Sequence, residues 1–419
     1  MVDPDVVIIG GGPGGSVCAT KLAEHGRRVL VLEREAFPRF HLGESLLPQS
    51  MPVLESLGVM PKMRERFIVK YGARFHFDVT GRKERYVFAN AFDSRWDHAF
   101  QVPRDEFDEL LLRNAERRGA EVRHGWTAKR IRFDGVRAVG VDVVDPSGGE
   151  HRIAARMVVD ATGRDALLAG DKRNKTRIDR LDKSAFYTHY RGTKRPEGDE
   201  EGDIDIVVFS GGWFWFIPFK DGRTSVGVVV SSAWVKENRT HKEDATALLA
   251  RAVAQSPAAA ALLEGAEVLW PARAAADYSY RVTETYGDSW LMVGDAGGFI
   301  DPLFSSGVHI AMRASVGAAE RIHEGLSQDD LGPARFQAWA AEVKLGTDTF
   351  VDAVQAFYSG GLVKYLFAEK KHTFLRRSIT SLLAGDVYST DARWIKDVRA
   401  RLGEMASTTW TPDPAVGAG

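Results

Sequence analysis

The chain has 419 residues, 44% of them hydrophobic and 27% charged, which suits about two or three globular domains. Lys plus Arg total 56 against 57 for Asp plus Glu, a net charge of −1, so neither nucleic acid nor an anionic membrane surface is indicated as a partner. The single cysteine, Cys18, leaves no intrachain disulfide and no cysteine-based metal site; no metal is expected, and no stretch approaches the roughly 20 apolar residues of a bilayer span.

The first residues, MVDPDVVIIGGG, lack a basic leader and run straight into a strand, so a cytoplasmic protein is expected. Val6 to Ile9 is a short apolar run suited to a buried parallel strand. Gly10-x-Gly12-x-x-Gly15 then opens a helix ending at Gly26, and a second apolar run, Val29 to Leu32, finishes at Glu33. In such a unit the first glycine makes the tight turn, the second lets backbone approach a pyrophosphate, and the third lets helix and strand pack. The helix N-terminus offers free N–H donors to phosphates, and Glu33 is placed for a ribose hydroxyl. A dinucleotide is therefore expected; this motif alone does not separate FAD from NAD. Cys18 reads as a small helix residue against the sheet.

Further along, Gly43-Glu44-Ser45 precedes a helical run, and FIVKYGARFHF reads as a strand carrying Lys70. A strand lysine is ordinarily solvated. Arg104 begins an amphipathic helix with Phe107, Leu110, Leu111 and Ala115 on its apolar side. Val158 to Asp160 runs into Ala161-Thr162-Gly163, and residues 191–203 form a polar surface loop. GGWFWFIPFKDG puts Trp213, Trp215, Ile217 and Phe219 on one strand face and Phe214 and Phe216 on the other. Both faces should be covered, Pro218 should mark an edge or a strand end, and Asp221-Gly222 should turn the chain into TSVGVVV. Leu291 to Val293 is another buried strand, running into Gly294-Asp295 and then Asp301-Pro302 and Ser305-Ser306-Gly307. From about 331 the chain reads helical, with Phe350, Phe357, Tyr358 and Phe367 as packing or cavity residues.

Taken together, GGGPGG at 10–15, GES at 43–45, WFWFIP at 213–218 and GDAGGFIDPLFSSGV at 294–308 resemble the flavin-dependent halogenases. GDVY at 385–388 is similar to members acting on pyrroles and phenols. The resemblance implies an α/β fold: an FAD-binding Rossmann-like domain of the p-hydroxybenzoate-hydroxylase type in two pieces, 1–180 and 281–330. It also implies an inserted sheet-rich substrate domain at 181–280, a C-terminal helical region at 331–410 and a disordered tail at 411–419. Cofactor contacts are expected at Gly10, Gly12, Pro13, Gly14, Gly15, Glu33, Arg34, Gly43, Glu44, Ser45, Arg104, Asp295, Pro302 and Gly307.

In that family reduced FAD and O2 oxidise chloride or bromide to hypohalous acid, which travels along an internal tunnel to a lysine and halogenates an electron-rich ring. By resemblance Lys70 is that lysine, the backbone amides of Ser306 and Gly307 hold halide, and Trp213, Trp215, Ile217, Pro218 and Phe304 line the partition and tunnel. An ordinary serine cap is the bland reading of the SSG turn. Tryptophan-type members carry a glutamate where this chain has Phe304, which points to a phenol or pyrrole acceptor, free or on a carrier protein, and leaves the general base open. His98, His189 and Glu44 qualify as helpers by residue type only. A separate flavin reductase is the expected source of reduced FAD. An aromatic hydroxylase, a reductase of isoprenoid double bonds and a non-catalytic flavoprotein scaffold are the alternatives on the same fold. KKHTFLRR at 370–377 is a candidate basic patch for an acidic carrier.

Overall fold

The structure, a computed structural model, describes residues 3–407 apart from 173, 180, 241–242, 277–278, 371 and 390–391. The tail at 411–419, expected to be disordered, lies outside the described residues.

The apolar runs of the N-terminal unit become the middle of a six-stranded sheet. Val6–Ile9 lies between Val29–Glu33 and Met157–Asp160, all parallel, with Glu121–His124 and Trp290–Met292 outside them. Helices Pro13–Glu24 and Ser306–Gln328 cover one face, where Val6, Ile8 and Val31 meet Cys18, Leu22 and Ala318. A three-stranded layer built from Thr127–Asp134, Arg137–Val144 and Glu150–Ala154 covers the other, burying Val7, Ile9 and Leu30 against Ile131, Val141 and Ile153. Coverage on both sides is why these strands are continuous apolar runs and not alternating ones. Cys18 is fully buried, which pushes its thiol up to about 12; it is packing.

A second, eight-stranded sheet runs Lys183–Arg191, Arg223–Ser231, Gly212–Pro218, Ile204–Phe209, Gly72–Phe77 and Arg82–Val87, with Glu267–Val268 and Arg273–Ala276 along the first of these. Two of its strands come from residues 72–87, so this layer is not drawn from 181–280 alone. Gly212–Pro218 is central and antiparallel to both neighbours, with Pro218 at its end and not on an edge. Phe214 and Phe216 pack with Phe209, Trp234 and Leu248 on one side, and Trp213, Trp215 and Ile217 face the other.

The lysine-bearing segment differs from its sequence reading. FIVKYGARFHF is two strands: Ile68–Lys70 pairs with Ala99–Gln101, and Gly72–Phe77 joins the large sheet. The break falls at Tyr71–Gly72, where the chain passes so close to the Tyr86 carbonyl that a Cβ on Gly72 would lie 2.6 Å from its oxygen. A simple alternation of side chains cannot reveal that change of partner.

Helices Gln337–Tyr358, Gly361–Leu366, Thr373–Ala384 and Arg393–Ser407 close the chain. Phe350, Phe357 and Phe367 join the cluster that contains Trp213, Trp215 and Phe304, so this helical layer is packed on the tryptophan face. No described helix is long and apolar enough to cross a membrane.

Candidate active site

A cleft of about 1010 Å³ lies between the two sheets. Its floor is the glycine loop. Gly10 has φ +106°, and a Cβ on Gly15 would stand 2.0 Å from the Gly10 carbonyl oxygen, so neither position admits another residue. Gly12 is different: its nearest foreign atom is Arg39 Nη2 at 3.6 Å, and its bare backbone faces the cleft. Glu33 Oε2 accepts from Gly11 N at 2.8 Å and Oε1 from Glu35 N at 2.8 Å. The carboxylate thus braces the loop it was expected to complement.

The other expected cofactor residues gather here too. Pro13, Gly14, Arg34, Gly43, Glu44, Ser45, Arg104, Asp295, Pro302 and Gly307 all line the cleft. Arg34 is exposed at its rim and pairs with Asp165. Arg104 is buried, not solvated: it bonds both oxygens of Asp108, at 2.7 and 2.9 Å, and the Leu42 carbonyl. Half-buried Asp295 is pushed up to about 6 by desolvation, despite Arg104 and Arg164 nearby. A glycine cradle, a braced acid and a cleft lined by both Glu33 and the two tryptophans fit FAD.

From the large sheet, Trp213, Trp215 and Ile217 line the cleft. The wall is held from behind: Trp215 Nε1 donates to Ser225 Oγ at 3.1 Å, Trp213 Nε1 to Tyr358 OH at 2.9 Å. Gly227 sits under the Trp215 ring, where a Cβ would come within 2.2 Å of it. Pro218 and Phe304 do not line the cleft. Both are buried, and Phe304 meets Phe350 with ring centres 6.5 Å apart.

Ser305 adopts left-handed backbone, φ 55° and ψ 28°, where helix Ser306–Gln328 begins, and Ser305, Ser306 and Gly307 line the cleft. No side chain caps this end. The serine-cap reading therefore does not account for it, and Ser306 and Gly307 stand at a helix N-terminus, where free N–H groups favour an anion.

Lys70 is off the cleft and 2% exposed. Its Nζ donates to Ser45 Oγ at 2.9 Å and to the Leu46 carbonyl at 3.1 Å, and it lies 5.2 Å from the centre of the Phe88 ring. Burial lowers it from 10.5 to about 7, opposed only partly by the Asp203 carboxylate. The bland reading of a solvated strand lysine does not apply: as the family resemblance implied, the side chain is inside, and it is close to half-neutral at neutral pH. Ser45 touches both the cleft and Lys70, so the lysine stands one residue behind the flavin compartment.

Of the three helper candidates, two come together. Glu44 Oε1 is 3.0 Å from His189 Nε2, while the buried Glu44 Oε2 has no hydrogen-bond partner among the described residues. His98 pairs with Asp97 at 2.8 Å, apart from them. Sequence reasoning missed Asp203, which lies inside the loop read as polar surface yet is buried beside Lys70. It also missed Asp301, bonded to Tyr358 OH at 2.7 Å.

The family model described as tryptophan halogenase matches residues 5–93 and 81–361. A tryptophan 2-halogenase of Chondromyces crocatus is 36% identical over 321 residues, 76% of this chain and 60% of that protein. A 1H-pyrrole-2-carbonyl-[peptidyl-carrier protein] chlorinase of Pseudomonas fluorescens is 32% identical over 413 residues, 92% of this chain and 90% of its own length. The structure of the myxobacterial chondrochloren halogenase CndH, an FAD-dependent halogenase, superposes with a TM-score of 0.80 at 30% identity, covering 96% of this chain and 97% of that one. With its glycine cradle, tryptophan wall and buried lysine in place, this chain belongs to the flavin-dependent halogenases, enzymes that work with FAD, O2 and halide.

Proposed function

We propose that the protein halogenates an electron-rich aromatic ring, a phenol or a pyrrole, and that Lys70 is the residue that delivers the halogen. Bound FAD supplies the oxidation of halide by O2 to hypohalous acid. The chain's own residues do the rest. Ser306 and Gly307 amides hold the halide in the cleft, and Trp213 and Trp215 keep the acceptor off the flavin. Lys70, behind Ser45, receives the electrophile on the far side.

The observation that carries this reading is the buried Lys70, held at 2.9 Å by Ser45 and lowered to about 7 by burial. Taking a lysine's charge out of water into a core costs several kcal/mol, so its place there calls for a use. A pyrrole or phenol acceptor is supported by Phe304 standing where tryptophan-type members carry glutamate, and by the chlorinase relative that matches nearly end to end. That relative acts on a carrier-bound pyrrole, which makes a tethered acceptor the first to test. Reduced FAD is proposed to come from a separate flavin reductase.

The test is turnover with reduced FAD, O2 and bromide, using phenols and pyrroles both free and carrier-bound, with Lys70→Ala beside the wild type. A bromine isotope pair in the product, absent with the variant, supports the proposal. Oxygenated product formed regardless of bromide means a hydroxylase.

A further inference from the structure

Two parts of the site meet on one hydroxyl. Trp213 Nε1 donates to Tyr358 OH at 2.9 Å, and Tyr358 OH lies 2.7 Å from Asp301 Oδ2. An indole N–H can only donate, so the tyrosine oxygen accepts from Trp213 and its own proton goes to Asp301. The direction of the chain is fixed without choosing any tautomer. The other Asp301 oxygen, Oδ1, accepts from Leu303 N at 3.1 Å and caps the short turn Pro302–Phe304. That turn leads directly into Ser305 and the amides of Ser306 and Gly307.

Tyr358 is the last residue of helix Gln337–Tyr358. It reaches from the C-terminal layer to a strand of the large sheet and to a loop of the flavin layer. Asp301 is fully buried, and the cation facing this group is Lys183, whose Nζ lies 4.3 Å from the centre of the Tyr358 ring. A buried carboxylate ordinarily needs such donors. Here they also tie the loop bearing the proposed halide amides to the wall opposite.

We propose that Tyr358 is a positioning residue for halogenation: its hydroxyl fixes the Trp213 ring relative to the turn at Ser306–Gly307, so that hypohalous acid formed at that turn is kept from escaping past the wall. This rests on the halogenase reading above. Tyr358 does not line the cleft, and it acts through Trp213 and Asp301.

Tyr358→Phe keeps the ring and removes the hydroxyl. In flavin-free protein labelled with 15N at the tryptophan indoles, the Trp213 resonance (identified by its loss in Trp213→Phe) is expected to move upfield and exchange faster with solvent. In turnover, the ratio of halogenated acceptor to hypohalous acid caught by a soluble trap is expected to fall about five- to tenfold, the scale of one lost hydrogen bond to a charge-linked group. FAD affinity should be unchanged. An indole resonance that stays in place shows the bond is not made and overturns the proposal. A shifted resonance with an unchanged ratio shows the bond is made but does not steer the acid, and overturns it equally. Should Tyr358→Phe not fold, Trp213→Phe removes the same bond from its donor end and must lower the ratio as well; an unchanged ratio there overturns the proposal too. A wild type that makes no halogenated product overturns the halogenase reading itself, and the indole spectra then report only on structure.

Discussion

Lys70 Nζ donates to Ser45 Oγ across 2.9 Å, and Ser45 is the residue that also faces the flavin cleft. One hydroxyl therefore separates the compartment that would make the electrophile from the amine that would use it. Lysine's ammonium loses its proton readily at the value burial gives it, about 7, whereas arginine stays charged at any working pH. Lys70→Arg should therefore fail as completely as Lys70→Ala, with halogenation down by about two to four orders of magnitude, the usual contribution of a positioned acid–base group. Steady-state rates on one bromide-accepting ring would check it. Wild-type turnover should also rise with pH through about 7, as the free amine forms; a rate that instead falls there would assign the work to the ammonium.

The same burial has a cost that can be read in stability. Because Lys70 is lowered from 10.5 to about 7 in the folded protein, the unfolded chain holds the extra proton between those values. Stability due to this group therefore rises with pH across that window, and the penalty is fully present below about 7. Lys70→Met should stabilise the protein at pH 6 by about 1–3 kcal/mol, the shift less the cost of leaving Ser45 and Leu46 without their donor. The gain should shrink toward pH 10. Denaturant midpoints at the two pH values decide it, and a destabilised variant at pH 6 would mean that the ammonium is better solvated than its 2% exposure indicates.

Neighbouring glycines of the cradle should fail in different ways. Gly15→Ala drives a Cβ to 2.0 Å from the Gly10 carbonyl, so it should cost the fold about 3 kcal/mol or more. Gly12→Ala has 3.6 Å of room to Arg39 Nη2. Its melting temperature without flavin should match wild type, while FAD affinity falls about tenfold or more because the new methyl stands where pyrophosphate must approach. Calorimetry with and without FAD separates the two; equal melting losses in both variants would show that Gly12 is needed by the fold itself.

Gly227 was legible only as part of TSVGVVV, yet it shapes the wall. Its backbone is ordinary strand, but a Cβ would come within 2.2 Å of the Trp215 ring. Gly227→Ala should push that ring off Ser225 and cost about 1–3 kcal/mol by overpacking. The displaced indole should alter tryptophan fluorescence, and it should do so less in a Trp215→Phe background. Equal changes in both backgrounds would show that Trp215 had not moved.

These cases show which features a single sequence can carry. The strand–loop–helix–strand–acid unit was readable because each residue there serves a local backbone need, and those needs have fixed spacing. The tryptophan hairpin was readable because alternation on two apolar faces demands cover on both. Lys70 was misplaced on a single long strand because the change of pairing partner at Gly72 depends on Tyr86, fourteen residues further on. Asp203 was missed, and Tyr358 was read only as a packing or cavity residue, for a similar reason. Each sits in a stretch whose local pattern, a polar loop or an amphipathic helix, gives no sign that its polar atom is used by a distant group. The folding of the Ser305 backbone into the left-handed region was equally invisible, since serine rarely adopts it.

The candidate carrier patch yields the last prediction, and the structure changes how it must be tested. Arg376 bonds Glu84 Oε2 at 3.3 Å and the Arg85 carbonyl at 2.7 Å, and its guanidinium lies 5.4 Å from the centre of the Tyr86 ring. Arg377 bonds the Ala91 carbonyl at 3.3 Å and lies 4.4 Å from the Phe92 ring. Both arginines fasten helix Thr373–Ala384 to the strand and turn at 82–91, while Lys370 is exposed. Lys371 is outside the described residues. Reversing the arginines would therefore disturb the seating of helix Thr373–Ala384 as well as any docking surface. Arg376→Ala should lower stability by about 1–2 kcal/mol through those bonds, with or without a carrier present. Lys370→Glu should leave the melting temperature within error and weaken binding of an acidic carrier severalfold, more at low salt than at high. If Lys370→Glu binds carrier as wild type does at low salt, the docking surface lies elsewhere and this segment serves the fold alone.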